Sequence, residues 1–381
     1  MDRIYLDSAA TTQVRDEVIV KMHEALTLYG NPSSMHSFGR SAKTAIEKTR
    51  KTIAKEFNAH PSEIIFTSGG TEADNMIIRS AVRDLNVTTI ITTKIEHHAV
   101  LHTAEEMVKE YDVALHFVDL DEKGNPKLDH LESLLKQDDT KKLVSLMHIN
   151  NEIGNKLDIS AVCDLCHANN ALFHSDTVQS VGHYSWDMEK TPVDFIAAAA
   201  HKFHGPKGIG FAYIKRNTGL KPLIFGGAQE RGFRAGTESF HNIVGLEASF
   251  IAAYENLEEE KAYVTRLKKH FIANVTREIP SAKFNGHSGD MEKSTYTLVN
   301  MSMPFSADKA LMLLFHLDIK GIACSKGSAC QSGSAAGSHV LSSVLSEEDM
   351  KKPSLRFSFS KYNTIEELDY VVAVLKEFLK D

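Results

Sequence analysis

Four groups in this chain have side chains whose types and settings could do chemistry. Lys202 follows the apolar run 195–200, within Ala200-His201-Lys202-Phe203-His204-Gly205-Pro206-Lys207-Gly208. A lysine beside a buried strand end can have its amine made nucleophilic enough to form a Schiff base with a carbonyl. The ordinary alternative is a surface lysine with its stem laid along apolar residues, and Lys207 is a rival by spacing alone. Asp176, with Gln179 three residues on, ends another strand-like run. Its carboxylate could keep a pyridinium nitrogen protonated, or it could simply cap a helix. Ser68-Gly69-Gly70-Thr71-Glu72 joins a strand-like run to a helical one. Small residues and free N–H groups at a helix start suit an anion such as phosphate. The stretch is not the Gly-x-x-x-x-Gly-Lys-Ser/Thr loop, and alone it could be a plain turn and cap. Cys330 sits in Gly327-Ser328-Ala329-Cys330-Gln331-Ser332-Gly333-Ser334-Ala335-Ala336-Gly337. A thiol among such small residues can attack and then travel, where a free cysteine is otherwise usually a small buried hydrophobe.

The elements that must position these groups alternate between strand-like and helix-like through the first two thirds of the chain. Residues 64–67, 89–93, 143–149, 171–173 and 194–200 are short, apolar and bounded by polar residues or glycine, as buried strands are. Ala42, Ile46, Thr49, Ile53 and Phe57 fall on one helical face. The alternation predicts an α/β fold with a mostly parallel sheet. Ligands sit at the carboxyl ends of such strands, and four polar clusters fall there: residues 67–72, Asn150-Asn151-Glu152, residues 176–179 and His201-Lys202. The pattern weakens after about residue 255 and becomes α+β. The charge run Glu258-Glu259-Glu260-Lys261 reads as the solvated part of a long helix. The expected division is a large domain over 15–255 and a smaller one from 1–14 and 256–381 that carries the Cys330 loop.

The chain has 381 residues, 42% hydrophobic, with a net charge of −7. That length is comfortable for two cores, and the charge argues against nucleic-acid binding. No apolar run approaches the ~20 residues of a membrane span. The first residues, Met1-Asp2-Arg3-Ile4-Tyr5-Leu6-Asp7, do not read as a signal peptide, so the expected location is cytoplasmic. Four cysteines in a chain this long make no disulfide framework.

Taken in order, these pieces resemble the class V, fold type I pyridoxal-phosphate (PLP) enzymes, and within them the group I cysteine desulfurases. The resemblance runs over nearly the whole chain. It rests on Tyr5-Leu6-Asp7-Ser8-Ala9-Ala10-Thr11-Thr12, Gly30-Asn31-Pro32-Ser33-Ser34, residues 67–72, Glu96-His97, Asn150-Asn151-Glu152, residues 176–179, His201-Lys202, residues 231–237, Gly327-Ser328-Ala329-Cys330 and Arg356. It implies a cofactor, PLP, bonded to Lys202, with Asp176 at the pyridine nitrogen and His97 stacked on the ring. Gln179 and Asn151 would lie near the ring oxygen. Thr71 and His201 would hold the phosphate, joined by Thr237 of a second protomer in a homodimer. Arg356 would take the substrate carboxylate, with Asn31 and Asn151 also at the substrate. The implied reaction converts L-cysteine to L-alanine and leaves sulfur as a persulfide on Cys330. An acceptor such as an iron–sulfur scaffold or a tRNA-thiolation protein would take that sulfur. A selenocysteine lyase or another class V aminotransferase is the alternative, although Cys330 in a long loop argues against a plain aminotransferase.

Two positions depart from the group I pattern. Ala199 stands where a phosphate-binding serine is usual, and Ser360 stands where glycine is expected. Cys163-Asp164-Leu165-Cys166-His167 matches the haem-attachment pattern, but Ile159, Val162, Cys163 and Cys166 share one helical face and read as core. No His/Cys spacing suits zinc, so no metal is expected.

Overall fold

The computed structural model describes residues 3–305, 309–326 and 337–379. Its elements, in chain order, begin with β1 (Ile4–Tyr5), α1 (Asp16–Leu26), α2 (Ser37–Glu56), β2 (Ile64–Thr67), α3 (Gly70–Leu85), β3 (Thr89–Thr92), α4 (His98–Glu110) and β4 (Ala114–Phe117). There follow α5 (Leu128–Leu135), β5 (Lys142–Ser145), α6 (Ile159–Ala168), β6 (Leu172–Asp176), β7 (Phe195–Ala199), β8 (Gly210–Ile214) and α7 (Phe240–Glu255). The remainder is α8 (Leu257–Glu278), β9 (Lys283–Phe284), β10 (Leu298–Ser302), α9 (Lys309–Ile319), β11 (Ile322–Ala323), β12 (Ser325–Lys326), α10 (His339–Val344), β13 (Ser354–Ser358) and α11 (Ile365–Phe378).

Seven strands form the main sheet in the order β2-β8-β7-β6-β5-β3-β4. Within it β8 is antiparallel to both neighbours, and the pairings among β3 to β7 are parallel. Most of these strands are buried on both faces, as their unbroken apolar sequences require. One core, with Phe57, Phe173, Phe203, Phe211 and Phe250, fills the side covered by α2, α6 and α7. A second, with Met76, Ile77, Val100 and Phe195, lies under α3 and α4.

A four-stranded sheet, β12-β13-β10-β9, belongs to a further core. There Leu267, Phe271 and Val275 of α8 pack with Val371, Leu375 and Phe357. Ile4 and Leu6 are buried in this same core, because β1 pairs in parallel with β11. The chain's start is thus held beside its end. Bonds from Thr12 N–H to His201 O (2.9 Å) and from Arg15 N–H to His204 O (3.1 Å) then carry it across to the main sheet.

The helical face of Ala42, Ile46, Thr49, Ile53 and Phe57 is buried as its spacing requires. Two expectations need correction. The run 143–149 stays a strand only to Ser145. Beyond it the chain still follows β6, with Leu146 N–H bonding His174 O and His148 N–H bonding Asp176 O. Asn150 then ends the extension by accepting the Glu152 and Ile153 N–H groups on its side-chain oxygen, at 2.9 and 3.0 Å. In the run 258–261, Glu260 is not a solvated charge. It receives both Nη atoms of buried Arg15, at 2.7 and 2.8 Å, and so ties α8 to the segment before α1.

Candidate active site

The sheet's carboxyl ends gather the polar clusters. Strand β7 stops at Ala199, and a tight turn carries Ala200, His201 and Lys202. Lys202 Nζ donates to the carbonyls of Ala9 (2.6 Å) and Ala10 (2.9 Å), in the segment that follows β1. Its rival, Lys207, is exposed. Strand β6 ends at Asp176, whose Oδ1 accepts the Val178 N–H at 2.9 Å in a turn rather than at a helix cap. Asp176 is only 6% exposed. Burial pushes its carboxyl up from the ordinary aspartate range, and the Lys202 charge opposes that rise. Gln179 donates to Ala9 O at 2.9 Å, so Lys202 and Gln179 meet on one carbonyl.

The glycine turn leans on the Asp176 turn. Gly69 adopts φ 155 and ψ −174, a region essentially closed to other residues, and opens directly into α3. A Cβ on Gly70 would stand 2.4 Å from Val178 Cγ2, so no larger residue fits between α3 and the 176–179 turn. Thr71 is exposed in the first turn of α3, where helix N–H groups face outward. His201 Nδ1 lies 3.2 Å from Thr11 Oγ1. Burial, aided by the nearby charges of Lys202 and Lys207, pushes its imidazole down to about 4. Ala199 is buried and paired with Gly210 of β8.

His97 caps α4 by accepting the Ala99 N–H on Nδ1 at 3.1 Å. Burial and then the Lys202 charge hold it down to about 4, so it is a neutral ring near neutral pH. Its neighbour His98 instead stacks on His102, with ring centroids 4.5 Å apart, and lies tilted against His339, with centroids 4.2 Å apart.

Arg356, on β13, is buried and donates to Asn151 O (2.7 Å), Asp7 Oδ1 (3.0 Å) and Ser325 Oγ (3.3 Å). Its Nε, and the Oδ1 of Asn151, are buried without a hydrogen-bond partner among the described residues. Asn31 is exposed, its Oδ1 accepting the Ser33 N–H at 2.9 Å. Thr237 is exposed on a loop whose Glu230 is gripped by buried Arg50 through two bonds of 2.8 and 2.9 Å. Cys330 lies outside the described residues. Cys324 is half-buried between β11 and β12, its thiol pushed up to about 12 by burial and by Asp7.

Lys202, Asp176, Gln179, His201, His97, Thr71, Asn151 and Arg356 all stand on the loops at this edge or the strand facing it. Sequence reading gave no role to Asp7 or to the carbonyls of Ala9 and Ala10. The carbonyls carry no side-chain signal. Asp7 stood inside a quoted motif, but its partner is far away in sequence. Ser360 needs no glycine, since it is absent from the positive-φ residues. Cys163 and Cys166 are core residues of α6, with His167 turned to solvent, which leaves the haem pattern without a binding face. Among the described residues no three His, Cys, Asp or Glu side chains are placed to share a metal ion. No helix among them is long and apolar enough to cross a membrane.

The arrangement fits PLP. The Asp176 carboxylate is buried at the end of β6, and the Lys202 charge beside it favours its anionic form, the form that would pair with a ring N–H⁺. Lys202 offers an amine, the Gly69–Thr71 helix start and His201 offer phosphate donors, and the buried Asn151 Oδ1 has bonding capacity to spare.

Residues 4–371 match the aminotransferase class-V family model. The chain is 40% identical over 381 residues to a cysteine desulfurase IscS of Clostridium botulinum, covering 99% of this chain and 94% of the relative. A solved NifS-like protein superposes with a TM-score of 0.90 at 35% identity, covering 99% of each chain. The structure of SspA in complex with cysteine does so with 0.79 at 28% identity, covering 95% of this chain and 100% of that one. With PLP as its cofactor, the chain belongs to the aminotransferase class-V family and, within it, to the cysteine desulfurases.

Proposed function

We propose that this chain removes sulfur from L-cysteine, releases L-alanine, and holds the sulfur as a persulfide on Cys330 for an acceptor protein. An iron–sulfur scaffold or a tRNA-thiolation protein is the acceptor class, and the cytoplasm is the compartment. The observation that carries the reading is that the Lys202 charge acts on the buried Asp176 carboxylate at one sheet edge, while Arg356 of β13 is bonded to Asn151 O on a loop of that edge.

Bound PLP supplies the electron sink that makes the substrate Cα–H acidic. Asp176 would pair with the protonated ring nitrogen, and His97 would offer the ring a neutral face. Thr71 and His201 would hold the phosphate, and Gln179 and Asn151 would serve the ring oxygen. Arg356 holds the substrate carboxylate in its planar fork, with Asn31 and Asn151 beside it. Lys202 moves the proton at Cα. The Cys330 thiolate attacks the substrate sulfur, so that an S–S bond forms and the C–S bond breaks. The electron pair of that bond stays with carbon, which takes a proton to become the alanine methyl. Sulfur is oxidised to the persulfide level as carbon is reduced, and no outside oxidant is needed.

Residues 15–255 serve as the cofactor domain, and 1–14 with 256–381 as the smaller one. Thr237, exposed beyond the Arg50–Glu230 clamp, reaches the phosphate of a second protomer in a homodimer. One experiment tests the reading. The purified holoenzyme is given L-cysteine without reductant, and alanine and the sulfur mass on each cysteine peptide are measured. One extra sulfur on the Cys330 peptide, and almost no alanine from Cys330→Ser, are expected. Near wild-type turnover by Cys330→Ser, or the extra sulfur on Cys324, would sink the mechanism.

A further inference from the structure

A line of buried polar groups under the site has no role in the chemistry above. Strand β6 places His174 two residues before Asp176, on the same face. His174 pairs in register with Ser145 of β5, and its Nδ1 lies 2.8 Å from Ser145 Oγ. On its other side, His174 Nε2 lies 3.4 Å from Oδ1 of Asp74, which descends from the second turn of α3. His174 and Asp74 are 0 and 1% exposed. Neither of those two facing atoms has a hydrogen-bond partner among the described residues. Leaving both unmade in a dry interior is costly, and a small rotation joins them.

We propose that Asp74 is a neutral carboxylic acid that donates its O–H to His174 Nε2, and that this neutral pair positions Asp176 as the one anionic carboxylate beneath the cofactor ring. The proposal rests on the counter-ion role given to Asp176. Three carboxyls meet here: Asp74 from α3, Glu96 from the turn before α4, and Asp176 from β6. Among the described residues, Lys202 acts on Asp176 and His97 follows Glu96 in the chain, and like charges so close cannot all be present. Glu96 is pushed up to about 8 by burial, with the Asp176 charge adding to it. Asp74 is raised by burial, then by Asp176 and Glu96. Burial pushes His174 down to about 3, so the imidazole is neutral. If Nδ1–H is donated to Ser145 Oγ, Nε2 is left as an acceptor, and the atom facing it at 3.4 Å, Asp74 Oδ1, can bond it only when the carboxyl is protonated. Asp74 and His174 are therefore positioning residues acting through Asp176.

The test uses the holoenzyme. With ¹⁵N-histidine labelling, and the His174 signals assigned by their loss in His174→Gln, the ring should carry its proton on Nδ1. It should stay neutral between about pH 6 and 8. An infrared band of a protonated carboxyl should vanish in Asp74→Asn. In that variant the pH midpoint of the bound cofactor's absorbance should stay within about 0.3 unit, because a neutral donor replaces a neutral donor. Asp74→Leu, which cannot donate, should weaken cofactor retention where Asp74→Asn does not. A proton on His174 Nε2, or a midpoint shift of about one unit or more in Asp74→Asn, would overturn the proposal. Asp176→Asn separates the two readings. An unchanged absorbance there would remove the counter-ion role of Asp176, and with it the purpose assigned to the pair, whatever the imidazole shows.

Discussion

Arg356 Nη2 lies 3.0 Å from Asp7 Oδ1, which joins a strand of the C-terminal sheet to the first residues of the chain. Ser325 Oγ donates to the same Asp7 oxygen at 2.7 Å. The guanidinium therefore already faces one carboxylate, and an incoming substrate carboxylate must share or displace it. Arg356→Lys offers a single point charge in place of the fork, and it cannot reach Asn151 O and Asp7 together. KM for L-cysteine is expected to rise roughly tenfold, about 1.4 kcal/mol, with a smaller change in kcat. Steady-state kinetics at fixed pH decide it, and an unchanged KM would remove Arg356 from the substrate site.

Lys202 and Lys207 stand five positions apart in one glycine-rich stretch, but only Lys202 turns inward to the Ala9 and Ala10 carbonyls. Lys202→Ala should lose the visible absorbance of the covalently bound cofactor, and Lys207→Ala should keep it. Borohydride reduction and peptide mapping should place the pyridoxyl group on Lys202. A label on Lys207 would reverse the assignment.

Gly70 has no room for a methyl group, since its Cβ would meet Val178 Cγ2 at 2.4 Å. Gly70→Ala should push α3 off the Asp176 turn, with a loss of about 1–3 kcal/mol and weaker cofactor retention. Adding Val178→Ala removes the clashing atom and should restore much of both. Denaturant melts and cofactor dissociation rates for the single and double variants measure the rescue, and a merely additive double variant would refute the contact.

Glu96 accepts from Met147 N–H (3.0 Å) and Thr93 Oγ1 (3.1 Å) on one oxygen, and its other oxygen is buried without a partner among the described residues. Its carboxyl is raised from 4.5 to about 8. The folded state thus holds a proton that the unfolded chain releases near 4.5. The stability this provides is complete below that value and is lost as pH rises to about 8. Glu96→Gln keeps both acceptor bonds and imitates the protonated acid. Its melting temperature should match wild type near about pH 4.5 and exceed it increasingly up to about pH 8. A gap between the two proteins that does not change with pH would contradict the assignment.

The sequence by itself determined what repeats locally or must be local to work. Periodicity marked α2 and the central strands, because burial on one face or two writes a pattern every few residues. Strand-end polar clusters marked Asp176, Lys202 and the Gly69–Gly70 turn, because a parallel sheet puts its ligands at one edge. Tertiary structure decided the rest. Asp7 meets Arg356 across nearly the whole length of the chain, and no spacing rule reaches that far. Strand β5 stops at Ser145, the chain follows β6 as far as His148, and the extension ends where the Asn150 side chain accepts the Glu152 and Ile153 N–H groups. Glu260 is drawn out of a charge run by buried Arg15, since a buried cation needs a partner wherever the fold supplies one. Asp74 and His174 each look unremarkable in sequence. Their meaning comes from a helix and a strand packing so closely that two polar atoms must face each other in a dry interior.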